Sequence, residues 1–458
     1  MQPIPQLELR VKTVPRLHPW EWAAPIWGRA RQGVPVNNVQ KIVLAASFAI
    51  SLSTFSFGQV AFNEVKAKTA NGNSQTAVNN SSLALANSGT TTSPDISVWN
   101  RTTGFNYITM SSTNSVGAAI NNSGVVAGAG NKSGLSQAFI WQSGQGIQWL
   151  GSLGSGMSVA TGMNDSSTVV GLSYNGAALQ HAFLWTQSGG MQDITPDLTS
   201  VGGASATAIN SSNEVVGYLY PNGSHWPVGF YWTQSGGLQT FGPNGTVVQG
   251  VNDSGTIVGQ APNASGYKHA FAWTQSGGMQ DLGTLGGPSS NALSINKNGW
   301  VVGTSLTNSG NGLVHGFLWT PTGGMQDVNT LAGLPKSSQP YSMQVNDYGV
   351  IAISSNKGLE LLSPKMNANL TSSQNPSTFG QAVTFSVTVS SIAGPPPDGE
   401  LVTFTVNGVL FASVPLVNGQ AQFTTSSIPV GPHIVTVKYA GDANYLANSY
   451  EALQQQVN

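Results

Sequence analysis

The chain repeats itself, and that periodicity constrains its fold more than any other feature. A block of the form A-x-x-I-N-x-x-G-x-V-V-G recurs at Asn121, Asn164, Asn210, Asn252 and Asn296, with a decayed copy, MQVNDYGVIAI, at Asn346. The asparagines are spaced 43, 46, 42, 44 and 50 residues apart. Between them lies a second block, A-F-x-W-T-x-x-G-G-M-Q-D, with tryptophans at Trp141, Trp185, Trp232, Trp273 and Trp319. Trp99, in DISVWN, reads as an unpaired first copy.

Residue chemistry assembles one unit. A first strand ending at Ile209 enters a hairpin turn that starts at Asn210 and closes at the fourth position. Gly124, Ser167, Asn213, Gly255, Gly299 and Gly349 fill that position, where a positive φ is needed; Ser167 suits it least. Val215 and Val216 begin the return strand. In the neighbouring copy His181 to Trp185 form a third strand, Gly189-Gly190 a turn and Met191 to Ile194 a fourth. Four short strands per period is the size of a propeller blade, whose two apolar faces are buried only by neighbours. Joining the Trp99 half-unit to the Asn346 half-unit predicts six blades, or seven where residues 78–93 add strands. The competing architecture is an open β-solenoid, which usually has a shorter period.

Composition agrees with an all-β chain. Only 7% of residues are charged, against roughly 25% in an average domain, and 56 are glycine. Residues 1–58 hold six bases (Arg10, Lys12, Arg16, Arg29, Arg31, Lys41) and two acids (Glu8, Glu21). The whole chain has 16 bases and 17 acids, so the remainder carries 10 and 15, a net of −5. No basic face is left for phosphate, and nucleic acid is not an expected partner. The absence of cysteine excludes disulfides and thiolate chemistry.

Ile42 to Gly58 is uncharged and mostly apolar, follows Arg29, Arg31 and Lys41, and ends in small residues. This is the order of a secretory signal, at about residues 40–58, and the run is short for the roughly 20 residues of a spanning helix. The expected division is an N-terminal extension and signal at 1–58, a low-complexity linker at 59–93, the repeat array at 94–364 and a further domain at 367–458. In the last, Val383, Phe385, Val387 and Val389 alternate with polar residues, as do Val402, Phe404, Val406 and Val435, Val437, Tyr439. Period-2 strands over such a length fit an immunoglobulin-like β-sandwich.

The array resembles the HAF-repeat proteins, bacterial sequences described as extracellular. His181-Ala182-Phe183 and His269-Ala270-Phe271 carry the motif in full, and His315-Gly316-Phe317 and Gln137-Ala138-Phe139 in part. Val228-Gly229-Phe230 departs at the histidine, and Gly278–Gly287 matches a second signature. The resemblance spans about residues 94–362 and implies export and a repeat scaffold. The C-terminal segment resembles bacterial Ig-like repeats through Asn375-Pro376-Ser377, Val402-Thr403-Phe404, Gly431-Pro432-His433 and Tyr439-Ala440-Gly441-Asp442 with Tyr445. That implies a spacer or adhesion module.

Candidate sites dissolve into the repeat. His181, His269 and His315 occupy one slot on different units and read as structural hydrogen-bonding groups rather than a metal cluster. Asn252-Asp253-Ser254-Gly255 and Asn346-Asp347-Tyr348-Gly349 faintly resemble calcium loops, but Ser211 and Lys297 replace the aspartate elsewhere. Phe183 and Trp185 read as core rather than as a sugar platform, and Asp193, Asp281 and Asp327 as strand-end caps. Apart from Asp95, the unrepeated acids are Asp197, Glu214, Asp347 and Glu360, and no catalytic motif joins them. The chain is therefore expected not to be an enzyme, with no catalytic, cofactor-binding or metal-ligating residue and no cofactor. The expected function is an exported, monomeric binding or adhesion scaffold at or outside the cell surface, without a stable membrane span after signal cleavage. Its unidentified extracellular ligand, a glycan or a surface protein, is expected at the loops where copies differ most: Tyr218–Val228, Gln260–Lys268 and Ser305–Leu313. The alternatives are a propeller-type carbohydrate-active enzyme pairing Glu214 with Asp197, Asp347 or Glu360, and a purely structural surface or matrix protein.

Overall fold

The computed structural model describes residues 61–67, 76–87, 96–110, 115–154, 156–198, 203–221, 224–308 and 312–458. The expected signal segment, the N-terminal extension and Asp95 lie outside them. The described residues are all-β apart from one four-residue helix, Val328–Leu331.

Seven four-stranded antiparallel sheets follow one another before the C-terminal domain. The second to sixth sheets each run through consecutive strands of the repeat. In the third these are Ser158–Met163, Val169–Tyr174, Gln180–Thr186 and Gly190–Asp193. The Trp99 and Asn346 copies do not join in one unit. Trp99 belongs to a complete first sheet, which gains Ala77–Val78 and Ala84–Asn87 ahead of Ile96–Asn100 and Gly104–Ile108. The seventh sheet holds Pro340–Val345, Ile351–Ser355 and Gly358–Pro364, completed by Phe62–Ala67 from the other end of the chain. The stretch expected as a linker thus supplies three strands. Phe62–Ala67 mixes apolar and charged residues without alternation, and the other two strands are only two and four residues long, so neither alternation nor turn spacing marks them.

The asparagine at each turn explains the repeat. Asn252 Oδ1 accepts from the backbone N–H groups of Ser254 (3.2 Å) and Thr256 (2.9 Å), holding its own hairpin. Its Nδ2 donates to the backbone carbonyl of Asn296 in the next sheet, at 3.1 Å. The same link runs from Asn79 to Asn121, Asn164, Asn210, Asn252, Asn296 and Asn346, and Asn346 donates back to Asn79. All seven side chains are buried, at 3–6% exposure, with both ends of each amide engaged. The fourth turn position has the positive φ expected of it, Ser167 included at 58°.

Apolar packing follows the same order. In V-V-G the two valines face opposite sides of the sheet, so Val169 joins the core shared with the second sheet and Val170 the core shared with the fourth. Each neighbouring pair of sheets has such a core, including Ala84, Ala86 and Trp99 of the first against Val350, Ala352 and Leu361 of the seventh. The glycine after the valines is compulsory in the second to sixth sheets. At Gly171 a Cβ would stand 2.0 Å from the Val159 carbonyl oxygen, where the first strand bulges between Ala160 and Gly162.

The C-terminal domain is a sandwich of a three-stranded and a four-stranded sheet around Phe385, Phe404, Val435, Val437 and Tyr439. It does not hang free as the spacer that the resemblance implied. Asn444, 5% exposed, accepts from Asn346 Nδ2 (2.9 Å) and Ser82 Oγ (2.8 Å), and donates from Nδ2 to the Asn80 carbonyl (3.0 Å). Its loop is thereby wedged between the turns of the first and seventh sheets. Beside it, Arg101 of the first sheet donates to Ser363 Oγ of the seventh and to the Asp442 carbonyl. Tyr445 packs edge-on against Tyr348 and donates to that residue's carbonyl oxygen. Burial, with smaller contributions from Asp442 and Tyr348, pushes the Tyr445 phenol up to about 12.

Replacing Asn252 with Ala removes its hairpin acceptor and its inter-sheet donor together, and should cost about 3 kcal/mol in denaturant unfolding. Asn252→Asp keeps the acceptor but turns a carboxylate toward the Asn296 carbonyl, and should cost about 2 kcal/mol. Stability of that variant within about 0.5 kcal/mol of the parent would show that the inter-sheet bond contributes nothing. Asn444→Ala should cost about 2 kcal/mol in the same assay by removing the acceptor of the second Asn346 amide hydrogen and the donor to the Asn80 carbonyl.

Candidate functional site

Antiparallel meandering puts the Asn turn of every sheet, and the Gly-Gly turns of the third to sixth, at one end, here the turn face. The loops between second and third strands emerge at the opposite end, the loop face. The wedge of the C-terminal domain lies on the turn face, at the seam between first and seventh sheets.

At the centre of the turn face is a depression of about 200 Å³ rimmed by the Asn turns. The residues following the asparagines interlock there. The backbone N–H of Asn122 donates to Asp165, that of Ser211 to Asp253, and that of Lys297 to Asp347. The aspartates of the apparent calcium loops are thus acceptors for neighbouring turns. Among the described residues, no group of three or more His, Asp or Glu side chains is placed to hold a metal ion. Below the rim, Val78, Ile120, Met163, Ile209, Val251 and Ile295 form an aliphatic girdle bordering a second space of about 170 Å³.

The motif histidines lie toward the loop face and stay on separate sheets. Each pairs with the aspartate twelve residues on, at the end of the fourth strand. His181, His269 and His315 place Nδ1 2.8 Å from Asp193, Asp281 and Asp327 respectively. The same carboxylates accept from the N–H groups of Thr195, Gly283 and Asn329, so the strand-end caps are also the histidines' partners. Asn175 and Asn263 direct an amide nitrogen at Nε2 of His181 and His269. In His269 this leaves the ring proton on Nδ1 for the hydrogen bond to Asp281, whereas His181 Nδ1 lies close to Asp193 without hydrogen-bond alignment. His315 instead faces the Lys336 carbonyl. Both members of the pair vanish together elsewhere: Gln137 goes with Trp149, and Val228 with Thr240. That coupled replacement at fixed spacing is the signal by which the pair was legible.

The unrepeated acids are not brought together. Asp347 lies on the rim of the turn-face depression, bonded to Asn80 and 3.8 Å from Lys297 Nζ. Glu214 accepts from Asn210 and lines a cleft of about 430 Å³ with Tyr231 and Trp273, between the fourth and fifth sheets. Asp197 is exposed in the loop after the third sheet, and Glu360 is buried within the seventh, where Ser355 donates to it. Phe139, Phe183, Phe230, Phe271 and Phe317 are core residues, as is Trp185.

Among the described residues, the exposed aromatics include Tyr107 on the fourth strand of the first sheet, Phe379 in the Ig-like domain and three at the loop face. Trp226 (60% exposed) and Tyr267 (55%) stand in two of the loops where the copies differ most, and Tyr341 (48%) opens the seventh sheet at that same end. Between the fifth and sixth sheets the loop face also holds a cleft of about 340 Å³ that includes Tyr267 and Lys268.

Residues 370–458 match the bacterial Ig-like domain (group 3). No curated protein matches the chain. Among solved structures it is similar to streptogramin B lyase, at 10% identity over 67% of this chain and 100% of that one, with a TM-score of 0.43. It is also similar to a gluconolactonase of Xanthomonas campestris, at 11% identity over 53% of this chain and 82% of that one, with a TM-score of 0.34. A third is the extracellular domain of a one-component system of B. thetaiotaomicron, at 9% identity over 84% of this chain and 68% of that one, with a TM-score of 0.26. Enzymes therefore stand among the structures of similar architecture, and the expectation that this chain is not an enzyme is withdrawn. Likeness at these identities and scores carries no activity over to it. Among the described residues, no helix is long and apolar enough to cross a membrane.

The coupled loss of histidine and aspartate predicts that His181→Val and Asp193→Thr are each destabilising alone and partly compensate together. The double-mutant cycle should give a coupling of about 1 kcal/mol, read by chemical denaturation. Strict additivity would mean that the pair is incidental.

Proposed function

We propose that the chain is an exported binding scaffold in which the seven sheets are the blades of one propeller. Residues 62–364 form it, with the HAF-like motifs as its internal struts, and the Ig-like domain caps the seam of its turn face. The ligand, an extracellular glycan or a surface protein, meets the loop face. One observation carries this reading: the Ig-like domain occupies the turn face, while Trp226, Tyr267 and Tyr341 are exposed at the opposite end. Large aromatics left in water, two on unrepeated loops and one at a strand start, have little packing role there, and such residues are enriched where surfaces bind. Loops fixed on a rigid frame are where binding residues concentrate.

Replacing residues 218–228, 260–268 and 305–313 together with Gly-Ser segments of equal length should abolish retention of the full chain on purified bacterial cell envelopes. The thermal transition should persist. Undiminished retention by the replaced protein would move the ligand off the loop face.

A further inference from the structure

We propose that the cleft between the fifth and sixth sheets is a saccharide subsite in which Tyr267 is the platform for one pyranose ring. This rests on the loop-face reading above and specifies its ligand. The cleft is about 340 Å³, near the lower end of the roughly 300–1,000 Å³ of small-ligand pockets. Tyr267 and Lys268 stand on the fifth sheet's side with Gln260, and Asn291, Thr304 and Leu306 face them from the sixth. Flat aromatic surface beside amides and a hydroxyl matches a sugar ring, whose C–H face is apolar and whose rim is hydroxyl. No carboxylate lines the cleft. Its aliphatic wall is Leu306 and Val314, too little to seat an apolar peptide side chain.

The platform is held in advance of any ligand. Asn263 Oδ1 accepts from the Tyr267 backbone N–H (3.1 Å), and the Asn263 N–H donates to the Tyr267 carbonyl (2.8 Å). Asn263 Nδ2 in turn meets His269 Nε2 at 3.2 Å, and His269 Nδ1 lies 2.8 Å from Asp281. The third sheet builds the same Asn–His–Asp series, through Asn175, His181 and Asp193, but carries Leu179 in the slot of Tyr267. The repeated struts therefore fix the loop, and the tyrosine is the unrepeated addition. Trp226 on the preceding sheet adds a second exposed ring at the same end.

The test is an array of neutral and uronic-acid oligosaccharides probed with the full chain, beside a peptide array. Binding to at least one oligosaccharide is expected, weakened about tenfold by Tyr267→Ala and retained by Tyr267→Trp. Lys268→Gln separates the ligands: loss confined to uronic sugars assigns an anionic ring, and unchanged binding a neutral one. Oligosaccharide binding that Tyr267→Ala leaves intact but Trp226→Ala or Tyr341→Ala abolishes would overturn the subsite and keep the loop face. So would envelope binding through the loops with no oligosaccharide, or only peptides, retained on the arrays. Circular dichroism of Tyr267→Ala, expected to match the parent because the residue is exposed, separates lost contact from lost fold.

Discussion

One buried amide per turn links each repeat to its neighbour, and the rest of the array depends on it. A sheet of this repeat has apolar residues on both faces and cannot be stable alone. Burying those faces requires neighbours at a fixed angle and height, which nonspecific apolar contact does not specify. Asparagine sets both, because its carbonyl closes its own hairpin while its amide reaches the backbone of the next. Aspartate has no donor for the second task, and serine is too short to reach two backbone groups and a neighbour. That geometric demand explains why Asn survives even in the decayed Asn346 copy, where the glycine after the valines has become Ile353 and the bulge lies instead between Pro340 and Ser342.

The seam is where this arrangement is weakest. Every other junction joins sheets adjacent in sequence, but the seventh sheet must find the first across the whole array. Two devices secure it: the strand Phe62–Ala67 completes the last sheet from the other end of the chain, and Asn444 enters beside the Asn346-to-Asn79 bond. At Asn121 and Asn164 a side chain of the following turn, Ser167 Oγ or Asn213 Oδ1, takes the second amide hydrogen, and at Asn210 the carboxylate of Glu214 in its own turn does. At the seam the Ig-like domain supplies that acceptor. Asn444 thus lets a segment whose Tyr439-Ala440-Gly441-Asp442 and Tyr445 carry the Ig-like resemblance also serve the repeat array.

Legibility in the sequence tracked repetition. The turns, their positive φ, the third and fourth strands and the sandwich all carry local patterns, and the structure has them. The strands at 62–87 escaped because Ala77–Val78 and Ala84–Asn87 are too short to show a period, and Phe62–Ala67 is fixed by a partner strand about 300 residues away. The glycine after the valines was visible, but its cause, a carbonyl 2.0 Å from any Cβ at Gly171, is a tertiary fact. His269 and Asp281 were each expected to be structural groups, a hydrogen-bonding histidine and a strand-end cap, yet that they meet each other needed the comparison of copies that lack both. The loops were singled out by variation alone, while the exposure of Trp226 and Tyr267 is a property of the folded surface.

A repeat protein divides its residues between those that every unit needs and those that one unit alone carries. Selection for stacking acts on the first set, so a motif present in five copies is evidence about geometry before it is evidence about chemistry. The histidines illustrate this, since three similar pairs on three separate sheets do not converge on one ligand. Recognition must come from asymmetry, because a ring of identical units offers a ligand no preferred site. Here asymmetry has two sources: the Ig-like domain breaks the turn face at the seam, and single aromatics break the loop face. The first is consumed by contacts within the chain. The second faces water on a hydrogen-bonded frame, and in the proposed binding role would carry little ordering cost.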